Sequence, residues 1–152
     1  MVNVAIKPIG AALGGGVSGL QWVVSAYTVA LAALILTAGA LGDRVGAKRV
    51  VLAGFVLFTV ASAACGLASS LDVLIAARVV QGIGAAVLVP CSLTLLNHVF
   101  PAPGERARAV GLWAAGASVG LSAGPLIGGV LAAVLGWRAI FFINAPIGLA
   151  GI

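Results

Sequence analysis

Charge is what this sequence has least of. Of its 152 residues only 7% are Asp, Glu, Lys or Arg, and the acids number three: Asp43, Asp72 and Glu105. Three scattered carboxylates offer no pair for general acid and base work. His98 is the sole histidine, sits beside Phe100 and reads as a loop residue; Ser, His and Asp are nowhere grouped. Cys65 and Cys91 stand alone in apolar runs without CxxC spacing, so they read as small buried hydrophobes. No metal-ligand cluster is present, and no phosphate loop of the form GxxxxGKS or GxxxxGKT. The chain therefore gives no sign of an enzyme, a metal, a cofactor or nucleotide-driven work.

What fills the space instead is hydrocarbon. Hydrophobic residues make up 62% of the chain, and the mean hydropathy is +1.26. A soluble domain of this size needs far more charge to cover its surface, so the expected surroundings are a lipid bilayer. The net charge of +5 comes from eight Lys and Arg scattered through short loops. Without a basic patch, nucleic acid is excluded as a partner, and membrane orientation explains the same charges. No cleavable signal peptide is visible, since Met1 leads directly into Val-Asn-Val-Ala.

The most highly charged stretch, Gly39-Ala-Leu-Gly42-Asp43-Arg44-Val-Gly46-Ala-Lys48-Arg49, organises the rest. No charge occurs from Trp22 to Gly42, and none from Val50 to Leu71. About 20 apolar residues cross the roughly 30 Å hydrocarbon core as a helix. The predicted helices are 1–13 (partial), 20–41, 50–68, 72–97, 109–135 and 139–152 (partial). Lys7-Pro8 interrupts the first, Trp22 and Tyr27 read as interfacial aromatics, and Asp72 suits the first turn of its helix. Arg44, Lys48, Arg49, Arg106 and Arg108 follow the second and fourth spans, against Arg138 alone after the third and fifth. The positive-inside rule puts the turns after spans two and four in the cytoplasm.

Three constellations stand out. In the charged turn, Asp43 ends one helix while Lys48 and Arg49 begin the next, both against the helix dipole. Simple anchoring explains cations at an interface; a functional turn would explain the reversed charges. Arg78 lies about 9 Å along the axis from Asp72. A charge in the apolar zone costs about 2.5–3.5 kcal/mol on insertion scales. Arg78 could snorkel to the headgroups, or line a cavity; Gln81 at i+3 on the same face favours the cavity. Gly116, Gly120, Gly124 and Gly128 repeat every four residues, the pattern of close helix packing, and Pro125 interrupts the helix bonding there.

These segments resemble the major facilitator superfamily of secondary transporters, in particular its fourteen-span drug–proton antiporter branch. Gly39 to Arg49 is similar to the family's turn between helices two and three. Leu74 to Ala86, with Arg78, Gln81 and Gly82, resembles its helix-four motif. Gly120 to Gly129, with Gly124-Pro125 and Gly128-Gly129, resembles the helix-five motif of antiporters. Trp137 to Gly148 resembles the opening of helix six, and Val2 to Ala5 the end of helix one. The resemblance implies an all-α integral membrane fold, residues 1–152 forming a partial six-helix N-terminal half. It implies a multi-pass protein of the inner membrane exporting small lipophilic molecules by alternating access, with the proton gradient as energy source. Arg78 and Gln81 would serve proton coupling. Gly39, Gly42, Asp43, Arg44, Gly46, Lys48 and Arg49 would form a cytoplasmic latch. Gly116, Gly120, Gly124, Pro125, Gly128 and Gly129 would pack and hinge. The latch and the substrate site would need the C-terminal half as partner. Lys7 departs from the family pattern. The alternative is a helical membrane protein that does not transport, acting as an assembly partner or inactive remnant.

Overall fold

In hydrocarbon every backbone N–H and C=O needs an internal partner, and uncharged runs this long meet that demand as helices. The computed structural model describes residues 2–151. A 3-10 turn over Val2–Ala5 leads into α1 (Ile6–Leu13), α2 (Val17–Val45), α3 (Ala47–Leu67), α4 (Leu71–Val99), α5 (Pro103–Val134), α6 (Ala139–Phe142) and α7 (Asn144–Ala150). Helices α2 to α5 are long and apolar enough to cross a membrane, at 29, 21, 29 and 32 residues. The expected outer bounds of the first and sixth helices, at Met1 and Ile152, lie outside the described residues.

Helix α4 is the hub, packed closely by α2 on one side and α3 on the other. Two glycines permit this. A Cβ on Gly82 would come within 2.6 Å of the Tyr27 carbonyl oxygen, and one on Gly84 within 2.9 Å of the Phe58 nitrogen. Both obstacles are backbone, which cannot rotate away. Gly42 plays the same part lower on α2, where an added Cβ would meet Cys91 Sγ at 2.6 Å. Cys65 and Cys91 are fully buried free thiols, in line with their reading as small hydrophobes.

Several boundaries differ from the sequence expectation. The charged turn shrinks to one residue, Gly46, which ends α2 and starts α3 with φ 104° and ψ 120°. Asp43 and Arg44 therefore close α2 while Lys48 and Arg49 open α3. Helix α5 begins at Pro103, so Glu105, Arg106 and Arg108 belong to it rather than to a turn. Proline suits the first helical position because its missing N–H would be unpaired there anyway. Pro8 is tolerated in the first turn of α1 for the same reason. His98 sits in the last turn of α4, its Nδ1 2.8 Å from the Thr94 carbonyl, and is not a loop residue. The expected sixth helix is broken between α6 and α7. Pro146 supplies the reason, since it has no N–H for Phe142 and its ring crowds that carbonyl.

The glycine row on α5 splits. Gly124 and Gly128 are buried, whereas Gly116 and Gly120 are exposed with open space around a built Cβ. A four-residue repeat drifts about 40° per step on a helix of 3.6 residues per turn. The row thus rotates away from the described elements. Gly129 lies near Val4, and Pro125 is exposed without ending the helix.

Substituting Ala for Gly46 forces a side chain into a positive-φ geometry and should cost about 1–3 kcal/mol. Gly82→Ala should be more damaging still, because the obstructing atoms are backbone. Gly116→Ala should be neutral or stabilising by up to about 1 kcal/mol. Equilibrium unfolding of the three purified variants in mixed detergent micelles measures this order.

Candidate functional site: a polar cluster around Arg78

Ser70 caps α4 by accepting from the Val73 N–H at 3.4 Å, and Asp72 sits in the first turn. From that end the helix carries Arg78 and Gln81 inward on one face. Both are buried, with 6% and 2% exposure, so Arg78 does not snorkel to the surface. Its Nε–H donates to the Val23 carbonyl of α2 at 3.0 Å. Its Nη1 donates to Gln81 Oε1, and the guanidinium carbon stands 4.3 Å from the Tyr27 ring centroid.

These contacts explain how the cation is tolerated. Hydrogen bonds to charged groups contribute about 1.5–3 kcal/mol each, and a desolvated cation–π contact about 2 kcal/mol. Together they offset the cost of placing a charge inside the apolar zone, which falls on Arg here without snorkelling to relieve it.

The amide of Gln81 is oriented by its neighbours. Guanidinium is donor-only, so Gln81 turns its carbonyl oxygen to Arg78 and its amino group away. Gln81 Nε2 then donates to Ser62 Oγ of α3. Asn144 Nδ2 of α7 donates to the same oxygen at 3.4 Å, while the Cys65 thiol lies 4.0 Å from Gln81 Oε1. One connected cluster thus joins α2, α3, α4 and α7.

Arg78 and Gln81 line a cavity of ≈ 430 Å³ together with Asn3, Tyr27, Thr28 and Asn144, walled by Phe58, Leu121 and Phe141 among others. No acidic side chain lines it among the described residues. The sequence expectation placed Arg78 and Gln81 by a cavity, and the structure brings them together there. It missed Tyr27, read as an interfacial anchor, and also Ser62, Asn144, Asn3 and Thr28. The available signal was polarity inside otherwise apolar runs.

The charged turn is a separate place. Asp43, Lys48 and Arg49 are exposed and line an open groove of ≈ 660 Å³ with Gly42, Gly46, Leu95 and His98. A Cβ on Gly39 would lie 3.6 Å from Pro90 Cβ, and Arg44 is exposed. Near this end Arg106 donates to the carbonyls of Phe100 at 3.3 Å and Pro101 at 3.0 Å, closing the end of α4. At the opposite end Arg138 donates to the Ala68 carbonyl at 3.1 Å and lies over the Trp137 ring. The structure does not bring the α5 glycines to either place.

Comparison with known proteins agrees with this architecture. The family model described as Major Facilitator Superfamily matches residues 1–152. Relatives include Multidrug resistance protein Stp of Mycobacterium tuberculosis, 47% identical over 148 residues, covering 97% of this chain and 28% of that protein. Methylenomycin A resistance protein of Streptomyces coelicolor is 44% identical over 151 residues, covering 99% of this chain and 32% of its own length. Drug efflux pump JefA of Mycobacterium tuberculosis is 43% identical over 148 residues, covering 97% and 29%. The chain therefore spans about a third or less of the curated relatives it matches.

The cluster should respond to substitution in a graded way. Gln81→Leu removes the acceptor for a buried guanidinium and should cost about 3 kcal/mol or more. Ser62→Ala leaves only a neutral amide unpaired and should cost about 1–2 kcal/mol. A double-mutant cycle by detergent unfolding should show coupling between the two positions.

Proposed function

The chain belongs to the Major Facilitator Superfamily, and we propose that it works as the first half of a proton-coupled exporter of small lipophilic molecules. Four helices long and apolar enough to cross a membrane, within this family, make it a multi-pass membrane protein. Relatives named for multidrug resistance, antibiotic resistance and drug efflux support export as the direction of transport. Their greater length supports a working transporter that includes a second half facing this one. Such halves enclose a site near the membrane midplane and rock about it in alternating access.

The observation that carries the reading is Arg78, a cation held at the wall of a polar cavity without an acidic partner among the described residues. Ionisable groups inside a membrane bundle mark substrate and proton paths. In this reading Arg78 is the coupling cation, Gln81 fixes its direction, and the proton gradient supplies the energy. Asp43 and its basic neighbours form a latch against a helix of the second half, on the cytoplasmic side of the inner membrane. The exposure of Asp43, Lys48 and Arg49 leaves them free to make that contact. The close packing at Gly124 and Gly128, with Pro125 between them, suits a helix that slides during the cycle.

In the full-length transporter, Arg78→Ala should reduce proton-driven efflux to the level of vesicles lacking the protein while membrane insertion stays normal. Efflux from a pump-deficient host, with a panel of lipophilic probes, gives the readout. Unchanged efflux would remove the coupling role. Asp43→Asn should slow turnover without changing the amount inserted, and wild-type turnover would dismiss the latch.

A further inference from the structure

Helices α6 and α7 lie along α3 in a single antiparallel register. Arg138 donates to the Ala68 carbonyl at 3.1 Å. A Cβ on Gly66 would meet the Phe142 ring at 2.8 Å. Asn144 Nδ2 donates to Ser62 Oγ at 3.4 Å. A Cβ on Gly148 would overlap Thr59 Oγ1, and one on Gly151 would lie 2.8 Å from the Phe55 ring. From Arg138 to Gly151 the chain advances 13 residues, while its partners step back 13 along α3, from Ala68 to Phe55. At 1.5 Å per residue both sides rise about 20 Å. No residue is gained or lost at the break between α6 and α7. Ile143, which lies in the break, keeps helical dihedrals of φ −62° and ψ −23°. Pro146 thus removes a hydrogen bond there without turning the chain.

Different forces fix the end and the middle of this seam. Ala68 follows the last turn of α3, where carbonyls lack helical partners. The Arg138 cation meets both that carbonyl and the negative end of the helix dipole. Trp137, Ile140 and Phe141 are buried in one core cluster with Cys65 and Ala68. Farther along, the glycines lie on both partners: Gly66 of α3 receives Phe142, while Gly148 and Gly151 receive Thr59 and Phe55. A slide of about one turn would bring Phe55 to Gly148, but it would drive Phe142 toward Ser62 and strip both hydrogen bonds. Thr59 Oγ1 is buried without a hydrogen-bond partner and fills the place of the missing Gly148 side chain. Shape holds it there, not bonding.

We infer that the Trp137–Gly148 motif is a register lock on α3 that holds Asn144 at Ser62, and that the break at Pro146 is not a hinge. Arg138, Phe142 and Gly148 are its positioning residues. Ser62 Oγ accepts from both Asn144 and Gln81, so the lock places one of the two donors on the hydroxyl that steadies Gln81. The lock stands on packing between elements of this chain; only its consequence for efflux rests on the transport reading.

The full-length protein carrying Cys65→Ala and Cys91→Ala is the background for a cross-linking test of the register. A Cβ built on Gly148 lies 3.0 Å from Thr59 Cβ, so Thr59→Cys with Gly148→Cys should need only a small adjustment to form a disulfide. That pair should oxidise about tenfold faster than Gly66→Cys with Gly148→Cys, which stand about two turns out of register. Equal rates would overturn the register. In a double-mutant cycle of unfolding midpoints, Ser62→Ala and Asn144→Ala should be coupled. Gly148→Ala should abolish that coupling. Adding Thr59→Gly should restore it, because the three nearest obstacles all belong to the Thr59 side chain. Should Gly148→Ala fail to insert, Arg138→Gln gives the same reading by weakening the coupling, and Arg138→Lys should keep it. A seam that only packs would lose stability in these variants and retain the coupling, which would overturn the lock. Pro146→Ala should leave the cross-link and the efflux at wild-type levels; loss of either would make the break a hinge. Coupling lost in Gly148→Ala with efflux unchanged would uphold the lock and detach it from transport.

Discussion

A guanidinium placed inside an apolar bundle has to find acceptors on its own neighbours, and this requirement shapes the molecule. Arg78 finds them on the α2 backbone at Val23 and on Gln81. Gln81 passes the demand on to Ser62 of α3, which also meets Asn144 of α7. Four helices are thereby tied at one level of the membrane. Such bonding needs helices that approach closely, and Gly82, one turn beyond Arg78 on the same face, gives α2 that room. Gly84 gives α3 the same room on the other side. Polar satisfaction and close packing are one constraint here, because neither geometry exists without the other.

The opposite arrangement holds at the Gly46 end. A one-residue connection leaves no loop to carry charge, so Asp43, Arg44, Lys48 and Arg49 ride on the helix ends themselves. Asp43 at a C-terminus and the cations at an N-terminus oppose the helix dipoles, yet all four are exposed. Their strain is relieved by solvent or by another surface, not by the buried core. The molecule thus keeps the Arg78 cluster inside and these four charges exposed at one edge.

Much of this was readable in advance because hydrocarbon is an unforgiving solvent. Uncharged runs between charged clusters located α2, α3, α4 and α5, and the spacing of Arg78 and Gln81 put them on one face. The boundaries were less legible. Charged residues such as Arg44 and Arg108 read as turn, although a helix extends into the interface without penalty. Pro146 broke a helix that hydropathy alone ran straight through, since hydropathy does not count backbone donors.

Composition and order therefore determined the helical class and the two ends of the bundle, for each follows from local transfer energies and backbone bonding. The tertiary structure decided which polar residues work together. Tyr27, Ser62 and Asn144 lie far from Arg78 along the chain and look unremarkable in a sequence of small residues. Only packing brings a ring to the guanidinium, and a hydroxyl and an amide to the Gln81 that holds it. It also turned half of the α5 glycine row outward, because which side of a regular helix is covered depends on its neighbours and not on its own repeat.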